Sequence, residues 1–160
     1  ATYDPVFKVQ QPLRTDADVA AIRAGLADGT IDAVATDHAP HAPHAKERTF
    51  DEAPPGMLGL ETAFALTLGE SGLDLPEVLA VLSWKPAAIA GIADRHGVSL
   101  VPGAPANLCV VDPDETWTVS GTAMASRSSN TPYEGDTLRG RVRHTIRAGE
   151  LVVVDGEAQR

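Results

Sequence analysis

The stretch that most restricts how this chain can fold runs from Ile31 to His41. There Ile31, Ala33, Val34 and Ala35 form an apolar run, and Thr36-Asp37-His38-Ala39-Pro40-His41 follows it directly. The run reads as a buried strand. Prolines at 40 and 43 forbid a regular helix through the histidines, so the strand is expected to pass into a rigid turn. A carboxylate and two imidazoles then leave the carboxyl end of a strand together, which is where an α/β protein places its reacting groups.

The surroundings fit that reading. Val6-Phe7-Lys8-Val9 is strand-like, and Gln10-Gln11-Pro12-Leu13-Arg14 follows it. Thr15 can then cap a helix whose first turn holds Asp16 and Asp18, charges that suit the positive end of the helix dipole. Val19, Ile22 and Leu26 recur at helical spacing, and Gly29 ends the element. With Ile31 to Thr36 this makes strand, helix, strand, the unit of a parallel sheet. The connection from Ala39 to about Met57 is long; its Phe50 and Pro54-Pro55-Gly56 predict a loop packed over a site rather than a free linker.

Three further helices are expected. One carries the stripe Leu60, Phe64, Leu68; one starts at Asp74 and Pro76 and buries Val78, Leu79 and Leu82; a short one runs from about Pro86 to Ile92. From Gly97 the pattern changes to short strands between turns: Leu108 to Val111, Trp117 to Val119, Leu138 to Ile146 and Leu151 to Val154. The division expected is therefore an α/β part over 1–96 and a small antiparallel β subdomain over 97–160.

Composition excludes some classes. A formal charge of -9 and a pI near 4.9 argue against a nucleic-acid surface, which needs clustered cations. The best basic group, Arg139, Arg141, Arg143 and Arg147, alternates along an expected strand and reads as a solvated sheet face. The one cysteine, Cys109, sits in an apolar run and is expected to be a small buried residue. A lone cysteine builds neither an internal disulfide nor a cysteine-rich metal site. No apolar run approaches the ~20 residues of a membrane span, and the expectation is a soluble, cytoplasmic protein. The start, Ala1-Thr2-Tyr3-Asp4, lacks an initiator Met and reads as a trimmed terminus or the cut end of something longer.

Taken alone, an aspartate at a strand end with histidines at +1 and +4 has two readings. It is a turn whose Asp holds backbone amides, or a metal-binding carboxylate that also moves protons. The grouping His38, His41, His44 could form a metal site of its own, but the intervening prolines oppose a common centre.

At these residues the chain resembles the dihydroorotases of the metal-dependent amidohydrolase superfamily. The resemblance spans Thr36 to His41, Ala53-Pro54-Pro55-Gly56-Met57-Leu58-Gly59-Leu60-Glu61, Lys85-Pro86-Ala87, Ser128-Ser129-Asn130-Thr131-Pro132-Tyr133 and Gly140-Arg141-Val142, in the family's order. It implies the C-terminal part of a (β/α)8 TIM-type barrel, namely its last two β/α units, followed by a small antiparallel β subdomain. Val6 to Val9 would be the seventh strand and Ile31 to Thr36 the eighth. The implied reaction is reversible hydrolysis of the ring amide of dihydroorotate to N-carbamoyl-aspartate in pyrimidine synthesis.

The resemblance also implies roles. Asp37 would be a zinc ligand and the catalytic proton carrier, at a centre of one or two zinc ions. His41 would contact the substrate carboxylate, and Pro55 and Gly56 the pyrimidine ring. Gln10 stands where the family has a substrate-contacting Asn, one methylene longer. Ala106-Asn107-Leu108 replaces the usual Ala-Asp-Leu. The family's other metal ligands lie upstream of the matched region, so this polypeptide alone is expected to be inactive and to need its own N-terminal half, with a homo-oligomer or aspartate carbamoyltransferase as further partners. Alternatives from the same resemblance are another cyclic amidohydrolase, a hydantoinase or allantoinase, or a non-catalytic scaffold for aspartate carbamoyltransferase.

Overall fold

A computed structural model of the chain describes residues 3–11, 13–97 and 99–159; Ala1, Thr2 and the Pro12 of the Gln10–Arg14 segment lie outside the described residues. Helix α1 spans Asp16–Ala27 and begins as expected. The Thr15 hydroxyl accepts from the Asp18 N–H (3.4 Å) and the Asp18 carboxylate accepts from the Thr15 N–H (3.0 Å), a reciprocal capping box. Its apolar stripe departs from expectation. Leu26 packs toward the core, but Val19 and Ile22 are 43% and 55% exposed, because a stripe is buried only where a surface faces it and no described residue faces these two.

Both strands expected in the first third are corrected for a related reason. Pro5–Phe7 forms a short 3-10 turn in place of a strand start: the Asp4 carboxylate accepts from the Val6 N–H (2.9 Å), and proline suits a first helical position. Ile31 to Thr36 joins no ladder among the described residues; its backbone bonds run from the Ile31 N–H to the Gly25 carbonyl (2.8 Å) and from the Val34 N–H to the Val81 carbonyl (3.0 Å). A strand exists only against a neighbouring backbone, and among the described residues the parallel pairing reduces to one bridge between His38 and Met57.

The helical layer follows. α2 is a single turn, Pro43–Lys46; α3 is Ala63–Glu70, α4 is Leu75–Leu82 and α5 is Trp84–Ile89. Helix α4 starts on an Asp74–Glu77 capping box with Pro76 in its first turn, where a proline forfeits no hydrogen bond. The core is Phe64, Leu73, Val78 and Val81, flanked by Leu26, Val34, Leu68, Val111 and Val142. Val78 is completely buried, and burying a valine contributes roughly 1.5–3 kcal/mol. Val81, absent from the expected face, is 2% exposed.

The sheet that covers this core is a four-stranded antiparallel meander in the order β1 (Leu108–Thr118), β2 (Thr137–Arg147), β3 (Glu150–Val154) and β4 (Glu157–Ala158). The stretches Leu108 to Val111 and Trp117 to Val119 were expected as two strands; β1 runs through both as far as Thr118. Its ladder shifts register between Asp112 and Thr116, where the Asp112 carboxylate accepts from the Asp114 and Glu115 N–H groups (2.9 and 3.0 Å). The turn signal at Asp112-Pro113 is therefore a bulge inside one strand. Cys109 is exposed on the edge strand β1, contrary to expectation, although partial burial still pushes its thiol up.

The arginine row is an ion-pair network. Arg139 meets Asp114 (2.8 Å), Arg141 and Arg143 share Glu115 (3.1 and 2.7 Å), and Arg143 also holds Asp155 (2.6 Å). The hydrogen bond from Arg143 keeps the Glu115 carboxyl below its ordinary range, and Arg143 does the same to Asp155.

The sheet lies on α3 at Gly140. A Cβ there would stand 2.8 Å from Leu68 Cδ2 and 3.2 Å from Phe64 Cε1, and φ is +97°, so close approach and backbone angle both demand glycine. Gly135, φ +83°, has nothing within 4 Å of its Cβ position. In the full-length protein, Gly140→Ala is expected to destabilise by about 1–3 kcal/mol more than Gly135→Ala, read as the difference in thermal midpoint. Because the folded-state pKa of Glu115 is lowered, its contribution is present above the unfolded value of ~4.3 and lost as pH falls through the folded value. Glu115→Gln should therefore lose less thermal midpoint than the parent on acidification from about pH 6 to pH 3.

Candidate active site

Asp37 sits where the Ile31 run gives way to the turn. Its φ is 45°, in the left-handed region that aspartate enters more readily than most residues. The side chain is exposed, and no hydrogen bond ties it to a described residue. The next residue is anchored: His38 Nδ1 accepts from the N–H groups of Gly59 (3.1 Å) and Leu60 (3.3 Å). Since an amide N–H only donates, Nδ1 is the unprotonated nitrogen of that ring.

His41, Pro55 and Gly56 are brought together. His41 Nε2 lies 3.0 Å from the Pro55 carbonyl, which only accepts, so Nε2 carries the proton. A second hydrogen bond donated from Nδ1 then requires a cationic ring. A Cβ on Gly56 would stand 2.7 Å from Ala39 Cβ and 2.8 Å from His41 Nε2, at φ +140°, so only glycine allows the histidine this close.

The loop between them is packed, as its composition suggested. The Gly56 N–H donates to the Lys8 carbonyl (2.8 Å); Lys8 Nζ donates to the carbonyls of Phe50 (2.7 Å) and Asp51 (3.0 Å), and Lys46 Nζ to that of Pro54 (3.0 Å). Burial, with Lys8 nearby, holds the Lys46 ammonium below the usual lysine range. One expectation needs correction, since Pro43 starts the one-turn α2 and does not prevent it, and His44 is exposed on that turn. Gln10 is exposed too, with no side-chain hydrogen bond to a described residue. The structure thus joins His41 to Pro55 and Gly56, and leaves Asp37 and Gln10 with free polar ends.

Asn130 is the residue that sequence reasoning passed over. It lies in the β1–β2 connection and is 8% exposed. Its Oδ1 accepts from the His41 N–H (3.1 Å), and its Nδ2 donates to the carbonyls of Ala39 (3.1 Å) and Gly56 (3.2 Å). The available signal was its place in the Ser128–Tyr133 segment, which carried the family resemblance without a role. A cleft of roughly 800 Å³ between the sheet and α3, lined by His38, Glu61, Phe64, Trp117 and Arg141 among others, includes none of Asp37, His41 or Gly56. Because His38 lines it, the cleft adjoins this site.

The helices, the site loops and the small antiparallel sheet fit part of an α/β-barrel fold, and it is the solved structures that define the class. The D-hydantoinase (dihydropyrimidinase) from Thermus sp. superposes with a TM-score of 0.85 at 26% identity, covering 97% of this chain and 35% of that one. The L-hydantoinase (dihydropyrimidinase) from Arthrobacter aurescens gives 0.85 and 26%, covering 98% and 36%. In sequence, the chain is 53% identical over 155 residues to the dihydroorotase of Mycobacterium leprae, and 49% identical over 160 residues to that of Streptomyces coelicolor. These matches cover 94% and 98% of this chain but 36% and 37% of the relatives, so the chain spans just over a third of their length. The amidohydrolase family model matches residues 11–152, and the chain belongs to that family.

Membership implies a metal cofactor. A catalytic zinc takes about three protein ligands, and among the described residues no three His, Cys, Asp or Glu side chains gather to hold an ion. The free Asp37 carboxylate suits one ligand position, but these residues do not make a metal site by themselves.

Gly56→Ala in the full-length protein should push His41 off the Pro55 carbonyl and destabilise by about 1–3 kcal/mol. The thermal midpoint and a shift of the His41 ring resonances would register both effects; an unmoved ring would contradict the contact.

Proposed function

We propose that the protein to which this chain belongs is a dihydroorotase, opening the ring amide of dihydroorotate to N-carbamoyl-aspartate, reversibly, in cytosolic pyrimidine synthesis. The observation that carries this is the 49–53% identity to dihydroorotases across nearly the whole chain, against 26% to the hydantoinases that share its fold. A zinc cofactor is part of the proposal, with Asp37 as one ligand and the remaining ligands outside this chain.

Each residue has a chemical reason for its part. Asp37 presents an unpaired carboxylate that can take a proton from the attacking water and return it to the leaving ring nitrogen. His41 and the Pro55–Gly56 turn form one rigid edge. There the glycine lets the imidazole lie against the turn; the edge would meet the pyrimidine ring, and the imidazole the carboxylate that distinguishes dihydroorotate from an uncharged diamide. Residues 1–96 would supply these groups, and 97–160 the subdomain that supports them.

The test is made on the full-length protein. Asp37→Asn should lower kcat for dihydroorotate by about 10²–10⁴-fold with the fold intact by circular dichroism. Undiminished turnover would remove Asp37 from the chemistry, and a wild-type preference for hydantoin over dihydroorotate would replace this reading with the hydantoinase one.

A further inference from the structure

We infer that Asn130 is a positioning residue for substrate binding: from the β1–β2 connection it sets the spacing between His41 and the Pro55–Gly56 turn. For its substrate, though not for its geometry, this rests on the dihydroorotase reading.

Both donors of the amide are used, and its oxygen is engaged. Both Nδ2 hydrogens go to carbonyls, one on Ala39 and one on Gly56; Oδ1 takes the His41 N–H, and the Asn130 backbone carbonyl takes the Leu58 N–H (3.0 Å). These four partners alternate between the two segments that meet at the site, 39–41 and 56–58. Among the described residues one backbone bond joins those segments, from the Ala39 N–H to the Met57 carbonyl (2.9 Å), with the His41–Pro55 and His38–Gly59 hydrogen bonds just beyond their ends. Asn130 is the brace across the same gap.

Its side-chain contacts reach 74 to 91 residues back along the chain, and none of them closes a helix or a ladder. They converge on the residues flanking the 3.0 Å contact between His41 and Pro55. A residue serving only the fold would have no reason to aim there. The chemistry is specific to asparagine: aspartate has the same shape but no donor, so it would set oxygen against the Ala39 and Gly56 carbonyls, and buried acceptors left without partners are strongly unfavourable. The two segments would then separate, and His41 would leave its place beside Gly56.

Full-length Asn130→Asp and Asn130→Ser are compared with wild type by steady-state kinetics and by hydrogen exchange over 38–42 and 55–59. KM for dihydroorotate is expected to rise about tenfold or more while kcat stays within about threefold, since binding geometry is disturbed and the proton carrier is not. Exchange at both segments should quicken together. Unchanged KM with a fall confined to kcat, or unchanged exchange in both variants, would overturn the inference. If the wild type opens hydantoin and not dihydroorotate, the dihydroorotase reading fails while the same KM split, read on hydantoin, still decides the role of Asn130. Should Asn130→Asp fail to fold, Asn130→Ser carries both measurements.

Discussion

The seating of α3 on β2 at Gly140 is the contact on which the rest of the chain depends. It allows Phe64 and Leu68 to rest directly on the sheet backbone, and so closes the core over Val78 and Val81. The chain enters α3 through Leu58 and Thr62, which are 2% and 1% exposed. The exit of the active-site loop is thereby fixed to the same core. The β1–β2 connection springs from the same sheet, so both ends of the site take their places from one packing contact. A core resists small displacements, and a site hung from it inherits that resistance.

Beyond that seat, the loop is held by polar groups acting on the main chain. A segment without secondary structure carries peptide groups that lack ladder partners, and each buried one needs something to bond. Lys8, Lys46, His38, His41 and Asn130 supply those partners, and every one of them reaches a backbone atom. Charged donors suit the rim, where Lys8 and Lys46 keep some solvent. Deeper in, the neutral amide of Asn130 does the same work without burying a charge.

Features set by neighbours in sequence were legible. The Thr15 and Asp74 starts and the Val78 face all depend on residues within one or two turns of each other. What the sequence concealed is decided at longer range. Val6 to Val9 and Ile31 to Thr36 have strand composition, but a ladder needs a second extended backbone, and among the described residues each meets only single backbone bonds. Val19 and Ile22 are spaced for burial without a surface to bury against. The bulge at Asp112 looked like the end of a strand, because a carboxylate that turns the chain reads the same whether or not pairing resumes. Asn130 was hidden most completely, since nothing within the Ser128–Tyr133 segment says that its amide meets Ala39 and Gly56. For the site, sequence and resemblance together named Asp37, His41, Gln10, Pro55 and Gly56, and the structure joins His41, Pro55 and Gly56 into one unit.

The left-handed backbone at Asp37 has a consequence of its own. Glycine would take φ 45° without strain, and asparagine would take it about as readily as aspartate. Backbone preference therefore gives aspartate no advantage over either at this bend. What aspartate brings to this bend that neither of the others can is a negative charge at the tip of its side chain, held out on a sharply turned backbone.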